Sequence, residues 1–310
     1  MRCEWPRRQR NQEHGHCGLE RNEMSARKLS KRAIAATMLS GSLIDQGPEQ
    51  IALGAIERFQ PRKVFAGFSG GFDSLVNTHW MMNNVPGCEV FHANTGIGIE
   101  ATRIYVRETC ARYGWPLTEI NAKEDCGQDY DALVIEHGFP GPGHHYKMFQ
   151  RLKERCVEKL LARNKTKRSD CVMLATGIRK DESARRSGYH YSVIDFRFSM
   201  MWVNPFYYKP REWFAAYIKE HGLQQNPVSV TLGMSGECLC GAYAHPGELA
   251  MVKIVCPATY DRIKALEQRV FDAGHSWGWE QSPPKKCKPK LGKFMPMCMG
   301  CEKGVDEVCA

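Results

Sequence analysis

Residues 64–76 read Val64-Phe65-Ala66-Gly67-Phe68-Ser69-Gly70-Gly71-Phe72-Asp73-Ser74-Leu75-Val76, and this stretch decides the fold. The apolar run from Val64 to Phe68 has the character of a buried strand, and the apolar periodicity that begins after Ser74 has that of a helix. Between them, Gly70 and Gly71 let the backbone turn tightly and bring its N–H groups close to a ligand with no Cβ in the way. The helix that follows directs its positive end at the same place. Strand, glycine loop and helix together make a phosphate cradle. An aspartate in such a loop repels phosphate unless it also holds a cation, so Asp73 predicts Mg²⁺ bridging a triphosphate. The plainer alternative is a glycine turn whose Asp or Ser caps the helix.

Composition sets the frame. With 310 residues, 43% of them hydrophobic, the chain has room for one large α/β core and a smaller appendage. No apolar run approaches the roughly 20 residues that span a bilayer. The basic opening, Met1 to Arg10, is not followed by an apolar segment. A soluble, cytoplasmic protein with no membrane partner is therefore expected. Residues 1–29 are expected to be a basic disordered arm, with an upstream start-site artefact ahead of Met24 as the alternative. Fourteen cysteines point to a reducing compartment, where thiols serve metals or catalysis. Cys88, Cys110, Cys156 and Cys171 sit among apolar or amphipathic neighbours and are expected to be inert.

The net charge of +9 is concentrated in two runs. One spans residues 151–168 (Arg151, Lys153, Arg155, Lys159, Arg163, Lys165, Lys167, Arg168), and the other comprises Lys285, Lys286, Lys288, Lys290 and Lys293. Such runs suit a polyanion such as tRNA or DNA, and equally a solvated face. The acceptor stays open between nucleic acid and a small molecule, and nothing in the pattern sets an oligomeric state.

From Val64 the pattern alternates as strands and crossover helices do. Strands are expected near 63–68, 89–93, 117–120, 171–175 and 193–200. Helices are expected near 74–83, 99–113, 129–137, 146–163, from Pro210 to Gly222 and from Ala258 to Ala273. Residues 30–60 read as N-terminal helices broken at Gly47-Pro48, residues 61–222 as a nucleotide-binding α/β domain, and residues 223–310 as a small cysteine-rich region. Phe139 to His145 reads as a stiff loop at the rim of the site.

Ser69 to Ser74 resembles the SGGxDS signature of the PP-loop ATP pyrophosphatases, a superfamily that includes the phosphoadenosine-phosphosulfate (PAPS) reductases. Many of those relatives carry Lys where this chain has Phe72. The resemblance implies a three-layer, doubly wound α/β fold with a mostly parallel sheet of the HUP/PP-loop type. It further implies an adenine nucleotide contacting Ser69, Gly70, Gly71, Phe72, Asp73 and Ser74. His92-Ala93-Asn94-Thr95-Gly96 is similar to the family's "DTG" strand end, which places Asn94, Thr95 and Gly96 in the adenosine pocket, with Asn94 where the family has Asp. Gly177 to Arg186 resembles the family's G-x-R-x-x-E-S-x-x-R segment. There Gly177, Arg179, Glu182, Arg185 and Arg186 would handle phosphate or sulfate, arginine forks being suited to such oxygens. Glu182 would orient an arginine or contribute to Mg²⁺ binding. The stretches Asn204–Trp213 and Gly222–Val228 also match the family's order and are expected to be structural.

Cys238 and Cys240 form a C-x-C pair, and Cys298 and Cys301 a C-x-x-C pair. Four thiolates suffice for a [4Fe–4S] cluster or a structural Zn²⁺. Iron–sulfur precedent in sulfur-handling relatives favours iron, and Cys256, Cys287 and Cys309 are substitute ligands. Three functions remain in view. The first is an Mg²⁺-dependent ATP pyrophosphatase with Asp73, Arg179 and Arg185 in its catalytic centre. It adenylates an acceptor for sulfur transfer, with a sulfur donor protein as partner. The second is a thioredoxin-dependent PAPS or adenylyl-sulfate reductase using Cys309 as nucleophile, although Val308-Cys309-Ala310 lacks the Glu-Cys-Gly context of the reductases. The third is a non-catalytic nucleotide or nucleic-acid binding module.

Overall fold

Lys63–Gly67 forms β1, and residues 64–66 of it are fully enclosed, as the apolar run requires. The computed structural model describes residues 46–167, 169–182, 193–197, 200–281 and 283. Expectations for residues 1–45, and for Arg185, Arg186, Cys287, Cys298, Cys301 and Cys309, lie outside the described residues.

β1 is paired on one side with β2 (Cys88–Asn94) and on the other with β4 (Val172–Ala175), both parallel. Ala66 faces Val90 in one register and Ala175 in the other. β3 (Leu117–Asn121), β5 (Ile194–Arg197) and β6 (Met200–Val203) complete a six-stranded sheet of order β3-β2-β1-β4-β6-β5. Among the described strands only β5 runs antiparallel, against β6. β4 and β6 are buried throughout, the state of strands covered by helices on both faces. The doubly wound, mostly parallel α/β fold follows from these pairings.

The chain proceeds from β1 through α2 (Phe72–Asn84) to β2, and through α3 (Glu100–Tyr113) to β3. It then returns across the sheet to β4 on the far side of β1. The return carries α4 (Tyr130–His137), a 3₁₀ turn (Pro142–His144), α5 (His145–Phe149), a π turn (Gln150–Glu154) and α6 (Arg155–Asn164). This reversal is a topological switch point, and ligands in open α/β sheets bind at the carboxyl ends of the strands flanking it. α1 (Pro48–Phe59) precedes the sheet; α7 (Arg211–Glu220), α8 (Pro227–Leu232), α9 (Glu248–Val255) and α10 (Pro257–Asp272) follow it.

Three features depart from the sequence reading. The strand expected at 193–200 is instead two antiparallel strands, β5 and β6, because the apolar run continues to Val203 and its second half inserts beside β4. The helix expected at 146–163 contains the π turn. α8 and α9 were unexpected, being too short to show a periodicity. α8 is set by its ends: the Asn226 side chain caps it by accepting from Val228 N, and Gly233, at φ +70°, stops it.

The residues after Gly222 share the main core. Leu239, Leu249, Val252, Ile263, Leu266, Val270 and Trp279 belong to the same apolar cluster as Phe65, Phe91 and Leu174. Trp279 seals it: its indole N–H donates to Leu239 O at 2.9 Å, and its backbone N–H to Glu267 Oε1 at 2.7 Å. Cys88, Cys110 and Cys156 are buried. Burial pushes the Cys88 and Cys110 thiols up to about 12 and raises that of Cys156 as well, so all three stay protonated. Among the described residues no helix is long and apolar enough to cross a membrane.

Phe65 is fully buried at the centre of β1. Phe65→Ala is expected to cost about 3–5 kcal/mol through lost transfer energy and the cavity left behind. The shift of a urea unfolding midpoint at unchanged slope measures it.

Candidate nucleotide site

The loop after β1 turns where Gly70 adopts φ +74°, a conformation that a residue with a side chain rarely takes. The N–H groups of Ser69 and Gly71 converge on one point, which is held by Ser74 Oγ at 3.3 and 3.1 Å. Ser74 Oγ in turn donates to Gly71 O at 2.9 Å. Converging backbone donors at the first turn of a helix form an anion nest. Asn226 braces the loop from outside, its Nδ2 donating to Gly70 O at 3.0 Å and to Thr102 Oγ1 at 3.1 Å. The sequence reading gave the Asn226-Pro227 turn a purely structural role. It braces the loop between β1 and α2.

Gly177, at the end of β4, closes the second side. A Cβ there would lie 2.5 Å from Asp73 O, so only glycine lets the two loops touch. The resulting cleft is lined by Ser69, Ser74, His92, Lys153, Gly177 and Glu237, among others. Lys153 is a buried lysine carried into this wall by the π turn. The sequence reading counted it only as one charge of a basic run.

Asp73 and Arg179, expected in separate roles, are bonded to each other. Arg179 Nε donates to Asp73 Oδ1 at 2.8 Å and Nη2 to Oδ2 at 3.3 Å. Both residues are buried, and the guanidinium also sits 5.4 Å from the centre of the Phe214 ring. The expectation of Mg²⁺ at Asp73 took the carboxylate alone; here each of its oxygens accepts a hydrogen bond from Arg179. Phe72 packs towards α7, its ring 6.2 Å from Phe214 and 5.0 Å beneath the Arg211 guanidinium. Glu182 closes a short 3₁₀ turn that begins at Lys180.

At the end of β2, Asn94 Nδ2 donates to Glu119 Oε1 at 2.7 Å, while Oδ1 accepts from Gly96 N and Arg103 Nη1. An aspartate here would set one carboxylate against another, which accounts for Asn at a position where Asp is expected. Glu119 is held down to about 2, first by its hydrogen bond from Arg107, against the effect of burial, and then by that from Asn94. Thr95 is tied to Glu237: its N–H donates to Oε1 at 2.8 Å and its hydroxyl to the Glu237 carbonyl at 2.6 Å. Arg262, from α10, clamps the next carbonyls, those of Gly96 and Ile97, at 2.9 and 2.6 Å.

His92 faces Glu237, with Nε2 and Oε2 3.3 Å apart and both side chains almost completely buried. Burial lowers the imidazole, but the Glu237 carboxylate and the bond from Nδ1 to Phe68 O outweigh it and raise the group overall. Directly after Glu237 come Cys238 and Cys240, on a turn flanked by Gly236 at φ +72° and Gly241 at φ +78°. Tyr130 Oη donates to Cys240 O at 2.9 Å. Two thiols on one glycine-flanked turn fit half of a cluster's ligand set. Among the described residues no three His, Cys, Asp or Glu side chains converge as a metal site.

The family model for the phosphoadenosine phosphosulfate reductase domain matches residues 63–230, more than half of the chain and every strand of the sheet. The chain belongs to this family. No curated protein sequence matches it. Among solved structures, PAPS reductase from Candida auris in its phosphate complex is similar at 18% identity, with a TM-score of 0.47 over 64% of this chain and 90% of that one. The U34-tRNA thiolase NcsA from Methanococcus maripaludis, with its [4Fe-4S] cluster, is similar at 15% identity, with a TM-score of 0.33 over 73% of this chain and 78% of that one.

Two outcomes follow for this member of the PAPS reductase family. Arg179→Met removes the guanidinium bonded to both oxygens of the buried Asp73 carboxylate and is expected to destabilise by about 3–5 kcal/mol. Adding Asp73→Asn should recover part of that loss; strictly additive denaturation midpoints would show that the pair is not coupled. Glu119, depressed from 4.5 to about 2, contributes stability that is complete above pH ~4.5 and is lost as pH falls towards 2. Glu119→Gln is expected to flatten the stability profile across that acid window, as read by thermal melts at stepped pH.

Proposed function

We propose that the chain is an adenine-nucleotide-dependent enzyme of sulfur chemistry. It binds ATP with the phosphates against Ser69–Ser74 and cleaves it between the α and β phosphates. The observation that carries this reading is the convergence of the Ser69 and Gly71 N–H groups, the first turn of α2 and Gly177 in one cleft at the sheet's switch point. An acceptor oxygen forms a bond to the α-phosphorus, the α–β bridging P–O bond breaks, and pyrophosphate leaves. Backbone donors fixed before reaction stabilise the charge developing on the phosphate oxygens. Arg179 keeps Asp73 and the loop in place, while Arg185, Arg186 and Glu182 are assigned to the departing pyrophosphate.

The adenylated acceptor is then attacked by sulfur, the new bond displacing AMP. Cys238 and Cys240, one residue beyond the cleft wall, would share a [4Fe–4S] cluster with Cys298 and Cys301. Such a cluster supplies thiophilic iron able to carry a sulfur atom, whereas Zn²⁺ in the same ligands would supply structure. The thiol-rich composition suits a reducing cytoplasm and a sulfur donor protein as partner. The two lysine- and arginine-rich runs suit a polyanionic acceptor such as tRNA or DNA.

The family description itself favours a second reading, reduction of PAPS. In it the Cys309 thiolate attacks the sulfonyl sulfur, the S–O bond breaks to release adenosine bisphosphate, and thioredoxin reduces the resulting S-sulfocysteine to release sulfite. Two assays on the intact, anaerobically purified chain decide between them. The first reading expects pyrophosphate release from ATP, reduced at least about a hundredfold in Gly71→Val, because a branched side chain there presses on Ser235 and displaces the backbone donors of the loop. Sulfite release from PAPS that is lost in Cys309→Ser, without pyrophosphate release from ATP, overturns it in favour of the second.

A further inference from the structure

The turn that follows β3 lies along the π turn and α6, and it is fastened there at several points. Asp125 Oδ2 accepts from Asn121 N at 2.8 Å, which closes the turn on itself. Arg163 Nη2 donates to Asp125 Oδ1 at 2.7 Å, and Arg151 Nη1 to Gln128 Oε1 at 3.5 Å. Between these two anchors sits Cys126, a half-buried thiol. Its Sγ donates to the carbonyl of Arg155 at 3.5 Å. The next residue is Cys156, fully buried, whose Sγ donates to Leu152 O at 3.3 Å. The two thiols are within hydrogen-bond reach of each other, with Cys156 as the donor when Cys126 is ionised.

One thiol therefore meets solvent and is backed by a second that does not. Redox-sensing cysteines are accessible and stand beside a resolving thiol, and disulfides in reducing compartments are mostly transient ones of this kind. Burial raises the Cys126 thiol, and the Asp125 carboxylate acts in the same direction. The bond from Cys156 and the charges of Lys159 and Arg163 oppose them. Both thiols also bond to the segment that carries Lys153 into the cleft wall. Leu152 O belongs to the π turn, and Arg155 O to the first residue of α6. A disulfide removes both S–H donors at once, so both carbonyls lose these bonds.

We propose that Cys126 and Cys156 form a redox-modification site, which a hydroperoxide converts to a reversible disulfide that loosens the turn carrying Lys153. The Cys126 thiol gives its proton to solvent, and the sulfur attacks one peroxide oxygen. The O–O bond breaks, leaving a sulfenic acid on Cys126 and a departing oxyanion that takes up the proton. The Cys156 sulfur then attacks the Cys126 sulfur. The S–O bond breaks, and the oxygen leaves as water with the Cys156 proton. Two thiols are oxidised to a disulfide, and the peroxide is reduced. A small thiol reverses the change by exchange. The site does not depend on what the cleft binds.

Peptide mapping of the full chain tests this. Trypsin leaves Cys126 as the one cysteine of residues 124–147, and Cys156 as the one cysteine of residues 156–159. After brief treatment with hydrogen peroxide and alkylation of the remaining thiols, these two peptides are expected to be joined. A thiol reductant should separate them. Cys156→Ala is expected to leave Cys126 as a sulfenic acid that dimedone traps, and Cys126→Ser to leave Cys156 reduced. Amide hydrogen exchange over residues 150–156 is expected to be at least about tenfold faster in the oxidised chain. A parent chain in which Cys126 stays a thiol, pairs with another cysteine or proceeds to sulfinic acid overturns the site. Oxidation of Cys156 in Cys126→Ser does the same. Exchange that is equal in the two redox states overturns the loosening of the turn. If Cys156→Ala does not fold, as judged by circular dichroism, the parent chain's peptide map decides.

Discussion

The site depends on the contact between the loop after β1 and the loop after β4. Gly177 meets the Asp73 carbonyl at a distance that no side chain would permit, and two residues later Arg179 grips the Asp73 carboxylate with both arms of its guanidinium. These loops leave neighbouring parallel strands at the place where strand order reverses. The sheet ladder runs one residue beyond Gly67 and Ala175, through Phe68 N to Phe91 O and Thr176 N to Val203 O, and beyond it this contact joins the two loops. The ion pair is buried, and its value lies in geometry more than in net stability, because desolvating two charges offsets most of their attraction. It fixes where α2 begins, and with it the point at which the Ser69 and Gly71 N–H groups converge.

Around this contact the C-terminal residues act as a brace. Asn226 holds Gly70, Ser235 and Gly236 accept from Thr102 and Ile99, Glu237 ties Thr95, and Arg262 clamps Gly96 and Ile97. Both loops that would surround a nucleotide are therefore supported by residues distant in sequence. The cysteine turn at Cys238 and Cys240 is continuous with the same brace.

Much of the architecture was legible because strands and crossover helices write their period into the chain. Val64–Phe68 and its glycine loop could be read directly, since a buried strand, two glycines and a helix start leave little choice of geometry. Long-range partnerships were not legible. Nothing local to Asp73 shows that a guanidinium 106 positions later bonds to both its oxygens. His92 stands in the sequence as the first residue of a strand end, and nothing local marks Glu237. The one available signal was a histidine in an otherwise apolar strand. Lys153 was hidden differently: in a stretch crowded with lysines and arginines, sequence cannot tell the buried one from those in solvent. The segment expected as one strand at 193–200 is two because its alternation of apolar residues with Asp195, Arg197 and Ser199, followed by Met200 to Val203, does not reveal where a chain reverses.

The π turn at Gln150–Glu154 amounts to one surplus residue in an otherwise ordinary helix. Each residue of an α-helix rotates the next by about 100°, so the surplus re-phases everything on one side of it relative to the other. Upstream, Met148 and Phe149 keep their apolar faces inward; downstream, Cys156, Val157 and Leu160 do the same. Only the widened turn between them can point a charged side chain at the strands without spoiling either apolar face. Trimming a single residue there would restore a regular spiral and swing Lys153 away from the cleft, so length in this segment is as constrained as identity.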